Sequence, residues 1–245
     1  MIQYTREDHV ALLTLDRPQA RNAISMTGWE AMAQAVADIA ASDARAVILR
    51  SATPGIFSAG ADIGEFETLR ADPGARTRFR LAMRKVMEPL AALPMPVIAA
   101  IDGGCYGAAV ALVLACDLRI AGGAAEFAVT PAKLGIGYPR EDVARLAAQV
   151  GKGQAARMLY TCEIIDGIDA ERIGLVELRA DEALSLARAF ADRIAANAPG
   201  AVRLLKRTLA DPSQRARDDD FEASFGGEEF GEGLTAFRER RRPSY

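Results

Sequence analysis

Histidine is almost missing: His9 is the only one in 245 residues. A Ser–His–Asp triad, a Cys–His pair or a multi-histidine zinc site would each have to be built on that one side chain. His9 falls between two short runs, residues 2–5 and 10–15, that read as the arms of a hairpin, so it is expected to be a solvated turn residue. Cysteine is scarce as well. Cys105, Cys116 and Cys162 are odd in number and none forms a C-x-x-C pair, which speaks against a disulfide framework and for a reducing cytoplasm. Long apolar runs are also lacking. The longest surrounds residues 105–116, short of the roughly 20 residues that span a bilayer. The first ten residues, MIQYTREDHV, carry charges where a secretory leader would need an apolar stretch, so no leader is expected there. Net charge is only −3, which argues against a nucleic-acid coat or a strongly basic membrane protein.

What the sequence does have is material for a core. Half of the residues are hydrophobic and 26% are charged, a composition that folds as one large domain or as a domain with a smaller appendage. Residues 10–15 (VALLTL), 46–50 (AVILR) and 97–101 (VIAAI) read as buried strands. Residues 26–41 place Met26, Trp29, Met32, Val36 and Ile39 at three- to four-residue spacing, one face of an amphipathic helix. A second helix is expected over 72–93, kinked at Pro89 and stopped by Pro94 and Pro96. The stretch AAVALVLAC (108–116) has almost no polar face and belongs inside the core as a helix. Short strands follow at 118–121 and 126–129.

From about residue 143 the texture turns helical, over 143–150, 154–159, 181–196 and 199–209, with a short strand near 175–178. Asp181 suits an N-cap and Pro199 a first helical turn. The charged segment 212–220 reads as a linker or exposed turn. The fold class is therefore α/β with a helical C-terminal part, divided as a core over residues 1–195 and a helical region over 196–245.

Two loops share a design. One strand, 46–50, runs towards FSAGADIGEF (57–66); another, 97–101, ends in DGGCYGAA and opens a helix. Small residues let a ligand approach the main chain, and a helix start offers free N–H groups and a favourable dipole for developing negative charge. Two such donors brought together form an oxyanion hole, in which losing one donor costs about 3 to 4 kcal/mol of transition-state stabilisation. Each loop alone reads as well as a tight turn. No phosphate loop is present: Gly151-Lys152 lacks the upstream glycine, and Gly135 and Gly137 lack the third glycine of a dinucleotide fingerprint.

Together these segments resemble a known family. LDRPQARNA (15–23), FSAGADI (57–63), PVIAAIDG and the small residues after it (96–109), ACDLRIA (115–121), AKLGI (132–136) and the tail EGLTAFRERRRP (232–243) are similar, in order and spacing, to the crotonase superfamily, also called enoyl-CoA hydratase/isomerase. The resemblance covers nearly the whole chain. It implies a crotonase-like spiral of ββα units with a helical C-terminal trimerisation region, hence a homotrimer or a hexamer built as a dimer of trimers. It implies an acyl-coenzyme A thioester as ligand, with no separate metal or redox cofactor, and no nucleic-acid or membrane partner.

By the same resemblance, the N–H groups of Ala61 and Ala108 match the two oxyanion-hole positions. Ala108 stands where glycine is usual. Ala59 and Ile63 match positions that contact the adenine region. Asp62 matches the family's aspartate, and a loop-stabilising hydrogen bond is its other reading. Arg17 and Arg21 sit where basic residues approach the CoA phosphates, while Arg238, Arg240, Arg241 and Arg242 form either a positive rim or a solvated helix face.

The departure from the family lies in its acids. Hydratases place two glutamates around a water, one to activate it and one to handle the α-proton. Those positions hold Ala111 and Pro131 here, and neither residue can move a proton. Ordinary hydration is therefore not expected. Glu141 and Asp142, in YPREDVARL, are replacement acid/base candidates, with first-turn helix acids as the alternative. Tyr138 is either a hydrogen-bond donor or a packed ring. Two functional readings remain open: an enolate-type thioester enzyme such as an isomerase, decarboxylase, lyase or atypical hydratase, and a catalytically silent acyl-CoA binder with a regulatory or scaffolding role.

Overall fold

The computed structural model describes residues 2–245. The chain begins with an antiparallel pair, β1 (Ile2–Glu7) and β2 (Val10–Leu15), with His9 exposed at the turn between them. Helix α1 (Met26–Ala40) follows, capped by the Ser25 hydroxyl on Gly28 N at 3.2 Å. From there the strands come in pairs. β3 (Ala46–Ser51) is followed by β4 (Ile56–Ser58), then by α2 (Phe66–Ala71) and α3 (Pro73–Ala91), which runs through Pro89. β5 (Val97–Ile101) and β6 (Gly104–Tyr106) lead to α4 (Ala108–Leu114). β7 (Leu118–Ala121) and β8 (Glu126–Ala128) lead to α5 (Arg140–Thr161). The chain ends with β9 (Ile165–Asp166), α6 (Gly167–Arg172), β10 (Leu178–Arg179) and four helices: α7 (Ala183–Ala195), α8 (Pro199–Ala210), α9 (Ala216–Ser224) and α10 (Glu228–Glu239).

The members of each strand pair go to different sheets. One sheet has the order β1-β2-β3-β5-β7-β10, parallel except for β1. The other has the order β4-β6-β8-β9, parallel except for β9. Each turn of the chain thus lays one strand on each sheet before a helix returns, which is the expected ββα spiral. The linkers that leave β4 and β6 for their helices consequently lie side by side.

Both faces of the larger sheet are covered, and its strands read as continuous apolar runs for that reason. In β5, Val97, Ala99 and Ile101 face the main core, with Trp29, Phe57, Leu112 and Phe127, while Ile98 and Ala100 face α7. α7 presents Ala183, Ala187 and Ala191, one turn apart and fully buried, which lets it lie close on the sheet. Every residue of α4 is buried, as its lack of a polar face requires.

Four local expectations are corrected by the structure. The strand expected near residues 175–178 is confined to Leu178–Arg179, because Leu175 and Val176 are buried in the core instead. Asp181 does not cap α7; the cap comes from a distant loop, where Asp102 Oδ1 accepts from Ala183 N at 2.9 Å. The segment 212–220 is not wholly a linker, since α9 starts within it at Ala216. The helices expected at 143–150 and 154–159 join into α5, with a break at Gly151, whose φ of 76° and ψ of 156° are not helical. The C-terminal helices are tied back to the sheet: Lys206 Nζ on α8 donates to Asp117 Oδ2 at 2.7 Å and Met95 O at 2.9 Å.

Candidate active site

The first loop leaves β4 and is stitched to residues 21–24. Ala59 N donates to Arg21 O at 2.9 Å, Ile24 N to Gly60 O at 2.7 Å and Asp62 N to Ile24 O at 3.0 Å. The pairing skips one donor: Ala61 N–H has no hydrogen-bond partner among the described residues. Asn22 underlies this loop. It is 2% exposed, adopts φ 54°, accepts from Arg17 N at 2.6 Å and donates to Phe57 O at 3.0 Å and Ser51 Oγ at 2.8 Å. Ser58 adds a bridge, donating to Asn22 O at 2.7 Å and accepting from Gly60 N at 3.1 Å.

The second loop leaves β6. Gly107, at φ 54° and ψ −121°, donates its N–H to Ala128 O at 2.9 Å and caps α4. Ala108 is the first residue of that helix, where a backbone N–H has no intrahelical acceptor. The Ala108 N–H is also without a partner among the described residues. The two loops touch at Gly60. A Cβ built there would lie 2.5 Å from Tyr106 O and 3.0 Å from Ala108 N, and Gly60 has φ 92°. Only glycine fits a left-handed position with that little room.

Ala61 and Ala108 line one cavity of about 140 Å³. Ala59 and Ile63 line it too, and its apolar walls come from Phe66 on α2, Phe79 and Met83 on α3, and Pro131, Leu134 and Ile136. No acid, base or thiol is in this lining. Its side-chain hydroxyls are Thr130, whose Oγ1 has no hydrogen-bond partner among the described residues, and Tyr138, which donates to Gly107 O at 3.0 Å. Burial pushes the Tyr138 pKa well above the usual phenol range, so the group stays protonated.

The replacement acids lie elsewhere. Glu141 does not line the cavity; Arg140 takes its carboxylate at 2.9 Å and holds it below the usual carboxylate range. Asp142 is fully buried between α5 and α3 and pairs with Arg84. Burial raises its pKa, with Arg84 opposing. Asp142 therefore reads as a tie between two helices rather than as a group in reach of a ligand. Ala111 is fully buried and outside the cavity lining, whereas Pro131 is part of it.

Of the basic candidates, Arg17 is engaged: Nη1 donates to Asp62 Oδ2 at 2.6 Å and to Ala23 O at 3.0 Å. Asp62 also accepts from Gly64 N at 3.0 Å, so both residues stabilise the first loop. Arg21 is exposed and its guanidinium has no partner among the described residues. In the tail, Arg241 is taken by Glu232 and Glu239 at 2.6 Å each, leaving Arg238, Arg240 and Arg242 exposed. Cys105 is buried, which pushes its thiol well above the usual range.

Sequence reasoning passed over Thr130, a lone hydroxyl before the Pro131 turn with no motif to mark it. It read Asn22 only as a turn residue, since nothing in DRPQARNAIS marks that amide as the support of a distant loop. No helix of the described residues is long and apolar enough to cross a membrane, and no cluster of His, Cys, Asp and Glu among them could hold a metal ion.

Comparison with known proteins follows the same lines. The family profile described as Enoyl-CoA hydratase/isomerase matches residues 5–245. The short-chain-enoyl-CoA hydratase of Clostridium acetobutylicum is 34% identical over 249 residues, covering 97% of this chain and 94% of that protein. The crotonyl-CoA hydratase of Syntrophomonas wolfei is 33% identical, covering 98% and 95%. Among solved structures, an enoyl-CoA hydratase/carnithine racemase from Magnetospirillum magneticum superposes with a TM-score of 0.95 at 35% identity, covering 100% of this chain and 94% of that one. An enoyl-CoA hydratase from Bacillus anthracis gives 0.92 at 32%, covering 100% and 98%. The two strand-end loops, the ββα spiral and these whole-length matches agree, and the chain belongs to the enoyl-CoA hydratase/isomerase family of the crotonase superfamily.

Proposed function

We propose that this protein is an enzyme that binds a short acyl-CoA thioester and stabilises its enolate without a side-chain base. The thioester carbonyl oxygen lies between the N–H groups of Ala61 and Ala108. Ala59 and Ile63 border the adenine region, and Arg21, exposed and without a partner among the described residues, is the cation for a CoA phosphate, Arg17 being committed to Asp62. The observation that carries the reading is that Ala61 and Ala108, whose N–H groups have no partner among the described residues, line one cavity with no carboxylate in its lining.

An enolate formed by proton removal needs a base, as hydration and double-bond isomerisation do. An enolate formed by loss of carbon dioxide does not. In an α-carboxy thioester the bond between Cα and the carboxyl carbon breaks, its electron pair moves into the enolate, and carbon dioxide leaves. Cα then takes a proton from water or from a hydroxyl, and Thr130 has the one uncommitted hydroxyl in the lining. Apolar walls favour this step, because they strip solvent from a carboxylate that the transition state disperses. The cavity, at about 140 Å³, is near the roughly 150 Å³ that holds a benzene, which suits an acyl part of a few carbons. The reaction class is therefore decarboxylation of a malonyl-type thioester.

The test is turnover of malonyl-CoA and methylmalonyl-CoA in heavy water. The expected result is release of carbon dioxide with one deuterium placed at Cα, and no hydration of crotonyl-CoA. Faster hydration or isomerisation of an enoyl-CoA would overturn the base-free reading. Tight binding of the whole panel with no turnover would instead make this a silent acyl-CoA binder.

The assembly we propose is a homotrimer, alone or paired into a hexamer. What supports it is apolar surface on α8–α10, where Leu209 is 84% and Phe237 82% exposed, with Leu205, Phe221 and Phe225 also more than half exposed. Light scattering of the purified chain tests it; a monomer at micromolar concentration contradicts it.

A further inference from the structure

The second oxyanion donor belongs to a peptide group whose other end is occupied. Ala108 N and Gly107 O are the two ends of one planar unit. Gly107 O accepts from the Tyr138 hydroxyl at 3.0 Å and from Val110 N at 3.0 Å. Ala108 N–H, at the far end, has no partner among the described residues. Hydrogen bonds in series polarise one another: a donor on the carbonyl draws charge through the amide and strengthens the N–H as a donor. The Tyr138 contact adds a side-chain bond to a peptide plane that Val110 N, on the same oxygen, and the Gly107 N bond to Ala128 O already hold.

The surroundings are arranged to keep that hydroxyl in place. The Ala111 amide adjoins it in the first turn of α4, at the position where a hydratase would carry its first glutamate. Behind Tyr138, Asp142 at the start of α5 pairs with Arg84 of α3, and Glu88 accepts from both Arg84 at 3.0 Å and Arg145 at 3.3 Å. This cluster ties α3, which supplies Phe79 and Met83 to the cavity, to the segment that carries Tyr138. Arg84–Asp142 is the buried pair of this cluster, and removing either partner would leave an unpaired charge between α3 and α5.

We propose that Tyr138 is a positioning residue of the oxyanion hole, orienting and polarising the Gly107–Ala108 peptide so that the Ala108 N–H donates more strongly to a bound carbonyl oxygen. This rests on the reading that a thioester carbonyl sits between Ala61 and Ala108. It does not depend on which reaction follows.

The test uses butyryl-CoA labelled with carbon-13 at the carbonyl, bound to wild type, to Tyr138→Phe, and to protein carrying 3-fluorotyrosine at position 138, a stronger donor of nearly the same shape. The reading is the displacement of the carbonyl resonance on binding. In wild type it moves downfield. In Tyr138→Phe the displacement shrinks by about 10–30%, the range expected for one cooperative bond, while the thioester still binds. With 3-fluorotyrosine it grows. Equal displacement in all three overturns the role of Tyr138 and leaves the oxyanion hole standing. No displacement in wild type overturns the oxyanion hole and this proposal with it. If Tyr138→Phe does not fold, the fluorinated protein decides alone, and an unchanged displacement there overturns the proposal.

Discussion

The two loops that meet at the cavity are held in different ways. The first, around Ala61, is stitched by main-chain bonds to residues 21–24 and depends further on side chains: Asn22, Ser58 and the Arg17–Asp62 pair brace it from below and from the side. The second, around Ala108, rests on main chain: a positive-φ glycine, the Ala128 carbonyl and the start of a fully buried helix, with Tyr138 as the side-chain hydroxyl on its turn. A loop held by side chains can be loosened one interaction at a time. A loop held by backbone geometry and a core helix has few adjustable parts, and its donor is set by the fold. The point of contact between them, Gly60 against Ala108 N, is where both plans depend on a single missing side chain.

Breaking that contact is expected to have the largest effect. Gly60→Ala places a Cβ 2.5 Å from Tyr106 O in a φ 92° conformation, and should cost about 1–3 kcal/mol of stability. It should also lower turnover by about 10² to 10³, as loss of an oxyanion donor does. Thermal melting and steady-state kinetics read both. Asn22→Ala attacks the first loop alone. It removes a buried amide with several hydrogen bonds, each worth about 1 kcal/mol, so a loss of about 3 kcal/mol is expected. Chemical denaturation measures it, and an unchanged midpoint would show that the loop does not need its support.

Asp62→Asn separates charge from shape at the same loop. Arg17 holds the Asp62 carboxyl below the usual range, against burial that acts in the opposite direction. A depressed folded-state pKa stabilises the protein above the unfolded value of about 3.9, and that stabilisation is lost as pH falls through the folded pKa. The substitution should therefore cost about 1 kcal/mol at neutral pH, as partly exposed pairs do, and nothing in strong acid. Melting temperatures of both proteins across pH give the comparison. The smallest effect is expected at Glu141→Gln. Its carboxylate pairs with Arg140 away from the cavity, so decarboxylation rates should stay within about twofold, the scale of a surface change. A large loss would return Glu141 to the chemistry.

Much of this was legible in the sequence, for identifiable reasons. Buried strands such as VIAAI and the amphipathic spacing around Trp29 carry their own periodicity, and small residues at two strand ends mark where a main chain must stay bare. What depends on distant partners was not legible. Asp181 looked like a cap, but Asp102, 81 residues away from Ala183, does the capping. Glu141 and Asp142 are adjacent acids, yet one faces Arg140 and the other is buried against Arg84, a difference that only the packing of α3 on α5 decides. Tyr138 left both a donor and a packed ring open, and its hydroxyl found its acceptor on a loop 31 positions upstream.

The most direct test is a crystal structure with a non-reactive acyl-CoA thioester, or an analogue that keeps the carbonyl, bound. Its carbonyl oxygen should lie about 2.7–3.1 Å from the nitrogens of both Ala61 and Ala108, the distance range of working oxyanion donors. A ligand whose carbonyl points elsewhere, with both amides left to solvent, would contradict it.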